Sequence, residues 1–177
     1  MEPKHGSVGD LVHKNLYKSD QSSARPLLHQ TLQALDYLAY RCIIHRDVKP
    51  ENILYTCSPP GYEYQLADFG LSNAVTDAQS QVGSTPYMAP ELDTTGEQTP
   101  KMDVGSLFVT LAYAMDVDQF QSKRLTTTSL RIMAVQEALS VDTLRQLREM
   151  AVVNPTKRAS AADMLDKLFG GKGRTHS

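Results

Sequence analysis

A polar octapeptide enclosed by two short apolar runs is the feature that most constrains the fold of this 177-residue chain. Residues 45–52, HRDVKPEN, separate Ile43-Ile44 from Ile53-Leu54-Tyr55, which have the composition of short buried strands. Asp68-Phe69-Gly70 follows sixteen residues after Asn52, and Ala89-Pro90-Glu91 comes later. Each short pattern recurs by chance, but the three in this order form one constellation.

Composition and charge exclude several classes of protein. With 41% hydrophobic residues the chain has enough apolar material for a core, and a formal charge of -2 disfavours nucleic-acid binding by bulk charge. No apolar run follows Met1, and the stretch from Val104 to Met115 is too short for a bilayer, so we expect neither a secretory signal nor a membrane span. Cys42 and Cys57 are expected to be free thiols, which favours a cytoplasmic or nuclear location.

Hydrophobic periodicity predicts a mostly helical chain with a small strand cluster. Leucines at helical spacing predict a helix over Arg25 to Arg41, with Pro26 in its first turn. Ser160, with Asp163 three residues later, predicts the capped start of a last helix. The remaining predicted helices are 104–115, 130–139 and 142–152, and the remaining predicted strand is 62–67.

The constellation resembles the catalytic-loop and activation-segment signature of eukaryotic-type serine/threonine protein kinases. The resemblance implies a protein-kinase-like fold of the α+β family, represented by its mainly α C-lobe with a few short β-strands. On this alignment residues 1–169 are the C-lobe part of the kinase domain, truncated before the hinge, and residues 170–177 are a flexible basic tail. Within the domain, the resemblance implies the hinge and the start of the first C-lobe helix at residues 1–11, the catalytic loop at 45–52 and the activation segment at 68–91.

The resemblance assigns chemistry to four side chains. Asp47 is expected to accept the proton of a substrate hydroxyl, and Lys49 to contact the transferred phosphate. Asn52 and Asp68 supply the oxygen ligands that Mg²⁺ prefers. ATP and Mg²⁺ are therefore the expected cofactors, and a protein hydroxyl is the expected acceptor.

The other aligned residues have binding or structural roles. Glu2, Lys4 and Leu54 are expected at the nucleotide, with Leu54 as the floor under adenine. Arg46 is expected to receive a phosphate from the activation segment. The remaining residues of that segment are Phe69, Gly70, Ser80 as the candidate phosphosite, Ser84 and Glu91. His45 and Phe69 are expected in an internal hydrophobic column, Asp103 as an anchor of the catalytic loop, and Arg158 as the ion-pair partner of Glu91.

The sequence also departs from the family pattern. No Gly-rich loop, strand Lys or helix Glu can be placed before His45, which predicts that the N-lobe is absent. Gly105 and Phe108 stand where the family has Trp and Gly, and the chain contains no Trp. A glycine inside a helix is expected to cost about 1 kcal/mol relative to alanine.

Two functions therefore stay open. The first is phosphoryl transfer from ATP to Ser or Thr hydroxyls, provided that an N-lobe or regulatory partner is supplied in trans or by further sequence. The alternative is a pseudokinase, a non-catalytic binding module derived from a kinase. A third interpretation, in which Asp47 is a turn residue and Asn52 a cap, requires the ordered motifs to be a coincidence.

Overall fold

The structure is a computed structural model that describes residues 4–19, 21–74, 85–88 and 98–175. The seven α-helices among these residues are α1 (Val8–His13), α2 (Leu16–Ser19), α3 (Ala24–Tyr40), α4 (Lys101–Ala114), α5 (Thr128–Ser140), α6 (Asp142–Arg145) and α7 (Ala161–Phe169). The described residues also form five strands, which are β1 (Gly6–Ser7), β2 (Ile43–Ile44), β3 (Ile53–Ser58), β4 (Gly61–Leu66) and β5 (Asn73–Ala74). The mainly helical architecture with few short strands confirms the predicted fold class.

Helices α3 and α4 form the centre of the hydrophobic core. The leucines of α3 lie on one face and are buried, as their spacing predicts: Leu27, Leu28, Leu32, Leu35 and Leu38. Helix α4 is buried on almost all sides, which explains why its sequence shows little amphipathic periodicity. The residues of α4 can therefore reach several neighbouring segments at once.

Two small antiparallel sheets flank the predicted catalytic loop. Strands β1, β3 and β4 form the first, with Ile53 opposite Leu66 and Ser7 opposite Leu54. Strands β2 and β5 form the second, with Ile44 opposite Asn73. The loop from His45 to Asn52 thus leaves one sheet and enters the other, which fixes both of its ends.

The predicted helix over 142–152 is interrupted. Helix α6 ends at Arg145, and a 3₁₀ turn follows over Arg148–Ala151. Leu144, Leu147 and Met150 are all buried, and their spacing of three residues matches the three residues per turn of a 3₁₀ helix. The core contacts therefore favour the tighter winding over a continuous α-helix.

The C-terminal helix begins and ends as its sequence predicts. Ser160 Oγ accepts the N–H of Asp163, and Asp163 Oδ2 accepts the N–H of Ser160, so both halves of a capping box are present. These bonds from Ser160 hold the pKa of the Asp163 carboxyl below its usual range. Gly170, in the left-handed conformation at φ 60°, ends the helix.

Residues 170–175 lie within the segment predicted as a basic tail, and they contact α3 and α7. His29 Nε2 lies 2.9 Å from the carbonyl oxygen of Lys172, and Thr175 N–H donates to Asp36 Oδ2 at 2.8 Å. Arg174 pairs with Asp166 at 2.7 Å. The flexibility of this segment stays a prediction. Across the described parts of the chain, no helix is long and apolar enough to span a bilayer.

Candidate active site

The catalytic loop is attached to α4 through the carboxylate of Asp103. Its Oδ2 accepts the backbone N–H of His45 and its Oδ1 that of Arg46, both at 2.8 Å. Arg46 needs this support because its backbone lies in the left-handed region at φ 75°. Burial raises the pKa of Asp103 to about 7, although the N–H donors and the Arg46 charge act in the opposite direction. Asp103 thus joins α4 to the first two residues of the loop.

The loop brings Asp47, Lys49 and Asn52 into direct contact. Lys49 Nζ lies 2.7 Å from Asp47 Oδ2, and Asn52 Nδ2 donates to the same oxygen at 2.9 Å. The Asn52 amide also donates to the carbonyl oxygen of Asp47 at 2.9 Å, which fixes the turn between them. The Asp47 carboxylate is thus held in one orientation by a cation and an amide, and only 7% of the residue is exposed.

His45 forms a bridge between the catalytic loop and the segment that begins at Asp68. Its Nδ1 lies 3.4 Å from the N–H of Asp47, and its Nε2 lies 3.0 Å from the carbonyl oxygen of Ala67. Only the neutral imidazole with its proton on Nε2 can accept the first bond and donate the second. Burial lowers the pKa of His45, which agrees with this neutral form.

Asp68 and Phe69 follow directly after this contact. Asp68 is exposed, lies in the left-handed region at φ 61°, and its Oδ1 accepts the N–H of Gly70 at 3.2 Å. The ring of Phe69 meets the His45 imidazole edge-on at 5.0 Å between centroids, and half of Phe69 remains exposed, so its place in an internal column stays a prediction. The bond from Ala67 N–H to the Asn52 carbonyl oxygen, at 2.8 Å, draws this segment beside Asn52.

The residues expected at the nucleotide base are only partly described. Leu54 is half-buried in β3 and pairs with Ser7 of β1. Lys4 is exposed and its Nζ donates to Thr56 Oγ1 at 3.3 Å. Glu2 lies outside the described residues, as do Ser80, Ser84 and Glu91 of the activation segment. The roles assigned to the residues outside the described part therefore stay predictions.

Arg158 is almost fully buried, at 2% exposure, between α4 and the segment that precedes α7. Its guanidinium donates to three carbonyl oxygens, those of Lys101, Val152 and Val153. It packs directly against Gly105, where a Cβ would lie 2.9 Å from Nη1. The expectation that Gly105 is simply a weak helix residue is therefore wrong, because alanine would collide with the guanidinium. Phe108, the other departure, is fully buried in the core.

Two hydroxyls that contact the catalytic loop were missed from the sequence. Thr110 Oγ1 donates to the carbonyl oxygen of Val48, and Ser72 Oγ donates to that of His45, both at 3.3 Å. Thr110 has a signal that could have been used, because it is the one aliphatic hydroxyl within the apolar run LFVTLAYA. Ser72 has no comparable signal, since it stands next to Asn73 at the start of a segment rich in hydroxyl and amide residues.

Comparison with known proteins agrees with this geometry. The family model described as "Protein kinase domain" matches residues 2–169. The chain therefore belongs to the protein kinase family, and its relatives place it among the eukaryotic-type serine/threonine kinases.

Three curated relatives illustrate the similarity. The serine/threonine-protein kinase pakA of Talaromyces marneffei is 32% identical over 93% of this chain, which covers 27% of that protein. The serine/threonine-protein kinase ste20 of Aspergillus fumigatus is 30% identical over 93% of this chain and 21% of its own length. The serine/threonine-protein kinase TAO3 of Gallus gallus is 42% identical over 62% of this chain and 12% of its own length. The chain thus spans about a quarter or less of these relatives.

Proposed function

We propose that this chain carries the catalytic half of a serine/threonine kinase site and transfers the γ-phosphoryl group of Mg-ATP to a Ser or Thr hydroxyl of a protein substrate. The observation that carries the proposal is the Asp47 carboxylate, held between Lys49 and Asn52 on a loop whose backbone is bonded to Asp103. Positioning of this kind supplies much of the rate in phosphoryl transfer.

Asp47 has the role of orienting the acceptor hydroxyl and taking its proton. Its carboxylate is held through Oδ2 by Lys49 and Asn52, which gives it one orientation toward a substrate hydroxyl. Lys49 is 21% exposed at its side chain, so its ammonium group can turn from Asp47 toward a phosphate while staying on the same loop. The same cation then lies beside both the proton acceptor and the transferred group.

The donor set beside Asp47 fits a hard divalent cation with a polyphosphate. Asn52 uses its Nδ2 as the donor to Asp47, so its amide oxygen is left for a metal. Asp68, whose carboxylate is exposed, directly follows Ala67, and the N–H of Ala67 is bonded to the Asn52 carbonyl oxygen. Neutral and anionic oxygens of this type suit Mg²⁺. The ion would neutralise charge on the phosphates, and Asn52 and Asp68 would hold it.

The opposite wall of the nucleotide site requires groups that the sequence before His45 does not provide: a Gly-rich loop, a strand Lys and a helix Glu. We propose that a further polypeptide segment supplies them, in cis or in trans. Phe69, which contacts His45, and Leu71 are 50% and 39% exposed, and they give such a segment apolar surface to cover.

That same apolar surface favours the alternative, a pseudokinase that binds a protein partner without catalysis. In this alternative the polar side chains of the loop only stabilise the structure. The two functions differ in what they require of Asp47. Catalysis requires its carboxylate. Partner binding at Phe69 does not, because Asp47 is buried in the loop, with 7% of the residue exposed.

Phosphoryl transfer to a serine/threonine peptide library, measured with labelled ATP and Mg²⁺, tests the proposal. With a protein-kinase N-lobe added in trans, we expect transfer by the wild type and a loss of about 10²–10⁴-fold in Asp47→Asn, which keeps the size of the side chain but not its basicity. Equal transfer by both chains would contradict the role of Asp47. No transfer by a folded wild-type chain in the presence of the added N-lobe would favour the binding module.

A further inference from the structure

Helix α4 holds the catalytic loop at a second point, two turns beyond Asp103. Thr110 follows Asp103 by seven residues, so both side chains project from the same face of the helix. Its Oγ1 donates to the carbonyl oxygen of Val48 at 3.3 Å. Thr110 is fully buried and Val48 is 1% exposed, so the bond lies away from solvent.

The direction of this bond is informative. A threonine inside a helix commonly donates to the carbonyl group four residues earlier in its own helix, here that of Ser106. Thr110 instead donates to a carbonyl group of the loop. Its neighbours Val109 and Leu111 are buried apolar residues, so the Thr110 hydroxyl is a polar group within an apolar part of α4.

The accepting carbonyl group belongs to the peptide that joins Val48 to Lys49. Because a peptide group is planar, fixing the oxygen of Val48 also fixes the direction of the Lys49 N–H and the position of the Lys49 Cα, from which the side chain projects. Asp47 is attached to the other side of Val48 and is paired with Lys49 at 2.7 Å. The position of this single oxygen therefore affects both charged groups.

We propose that Thr110 is a positioning residue of the site: its hydroxyl fixes the Val48–Lys49 peptide and so aims Lys49 at the phosphate and holds it beside Asp47. The functional part of this inference rests on the proposed phosphoryl transfer. Asp103 holds the beginning of the loop through two N–H groups, and Thr110 holds its centre through a carbonyl oxygen.

The sequence permits a direct measurement of this carbonyl group. Val48-Lys49 is the only Val-Lys pair in the chain. Labelling with 1-¹³C-valine and ¹⁵N-lysine therefore gives a single cross-peak in a carbonyl–amide correlation spectrum, from the Val48 carbonyl carbon and the Lys49 amide. The carbonyl ¹³C resonance moves upfield when its hydrogen bond is lost, and the measurement needs neither ATP nor activity.

Two pairs of chains differ in the hydroxyl alone. Thr110→Val is compared with the wild type, and Thr110→Ala with Thr110→Ser, so the second pair keeps the test valid if the valine chain does not fold. Thr31→Val is the matched control, because Thr31 is 2% exposed and its hydroxyl has no hydrogen-bond partner among the described residues. Loss of that hydroxyl should leave the loop unchanged.

We expect the Val48 resonance to move upfield in Thr110→Val relative to the wild type, and in Thr110→Ala relative to Thr110→Ser. Thr110→Ser and Thr31→Val should keep the wild-type position. Amide exchange in residues 45–52 should become about five- to tenfold faster without the hydroxyl, as expected for the loss of one hydrogen bond, with no change in α3. A resonance that does not move within either pair of folded chains would overturn the inference, as would a movement of equal size in Thr31→Val.

Mg-ATP binding by the same chains tests the functional part. If the wild type binds, Thr110→Val should bind about tenfold more weakly, as one lost positioning bond predicts, and Thr110→Ser should bind nearly as well as the wild type. Equal binding by Thr110→Val would overturn the role in aiming Lys49. If the wild type does not bind, the proposed function fails and the aiming role fails with it, while the carbonyl measurement still decides whether Thr110 fixes the peptide.

Discussion

The guanidinium of Arg158 lies in the space that a side chain on Gly105 would occupy. A Cβ at Gly105 would be 2.9 Å from Nη1 and 3.1 Å from Cζ, both closer than ordinary contacts. Arg158 cannot move aside easily, because it is 2% exposed and donates to the carbonyl oxygens of Lys101, Val152 and Val153. The missing side chain in α4 is therefore what allows the buried arginine to pack against this helix.

The first prediction concerns this contact. Gly105→Ala should lower the free energy of unfolding by about 1–3 kcal/mol, because overpacking outweighs the better helix propensity of alanine. Urea unfolding measures the change, and Ser106→Ala, in the next position of the same helix, is the control for alanine at a buried site. A Gly105→Ala chain that is more stable than the wild type would show that the helix propensity of alanine outweighs the contact with Arg158.

The second prediction concerns the loop anchor. Asp103→Asn replaces one accepting oxygen with an amide group that cannot accept the second backbone N–H, so a buried donor is left without a partner. We expect a loss of about 1–3 kcal/mol in the free energy of unfolding. Asp142→Asn is the control, since the Asp142 side chain is 88% exposed. Equal effects of the two substitutions would contradict the anchoring role.

The third prediction concerns pH. Burial lowers the pKa of His45 in the folded chain from the ordinary value of 6.5. As the pH falls below 6.5, the unfolded chain therefore takes up the proton first and this group removes stability, whereas above 6.5 it contributes no pH dependence.

Unfolding free energies at pH 7.5 and 5.5, compared between the wild type and His45→Phe, isolate this effect. The wild type should lose more stability on acidification, because phenylalanine has no proton to gain and the other groups are common to both chains. Equal losses would contradict a neutral, buried His45, and so would an imidazole resonance that titrates at 6.5 or above in the folded wild type.

The ordered motifs predict most of the site because their chemistry is local. Asp47, Lys49 and Asn52 lie within six residues, so the loop that joins them brings them together without help from the rest of the fold. The apolar spacing of α3 and the capping box of α7 are local in the same way, and both predictions are confirmed.

The features that the sequence did not predict depend on contacts between distant segments. Thr110 lies 62 residues from Val48, and no periodicity indicates that its hydroxyl points at the loop. The fit of Arg158 against Gly105 depends on how two helical segments meet, and the 3₁₀ turn at Arg148–Ala151 depends on which residues the core buries. Tertiary packing determines all three features: the bond of Thr110, the contact of Arg158 and the 3₁₀ turn.

Calorimetric titration of the full chain with ATP, with and without Mg²⁺, tests the central claim most directly. The account predicts saturable, Mg²⁺-dependent binding that is lost in Asp68→Ala and kept in Asp142→Ala, since Asp68 would hold the ion and Asp142 is far from the loop in sequence and exposed. Absence of binding at millimolar ATP by a chain with a folded circular-dichroism spectrum would contradict the account. Binding of equal strength in Asp68→Ala would contradict it as well.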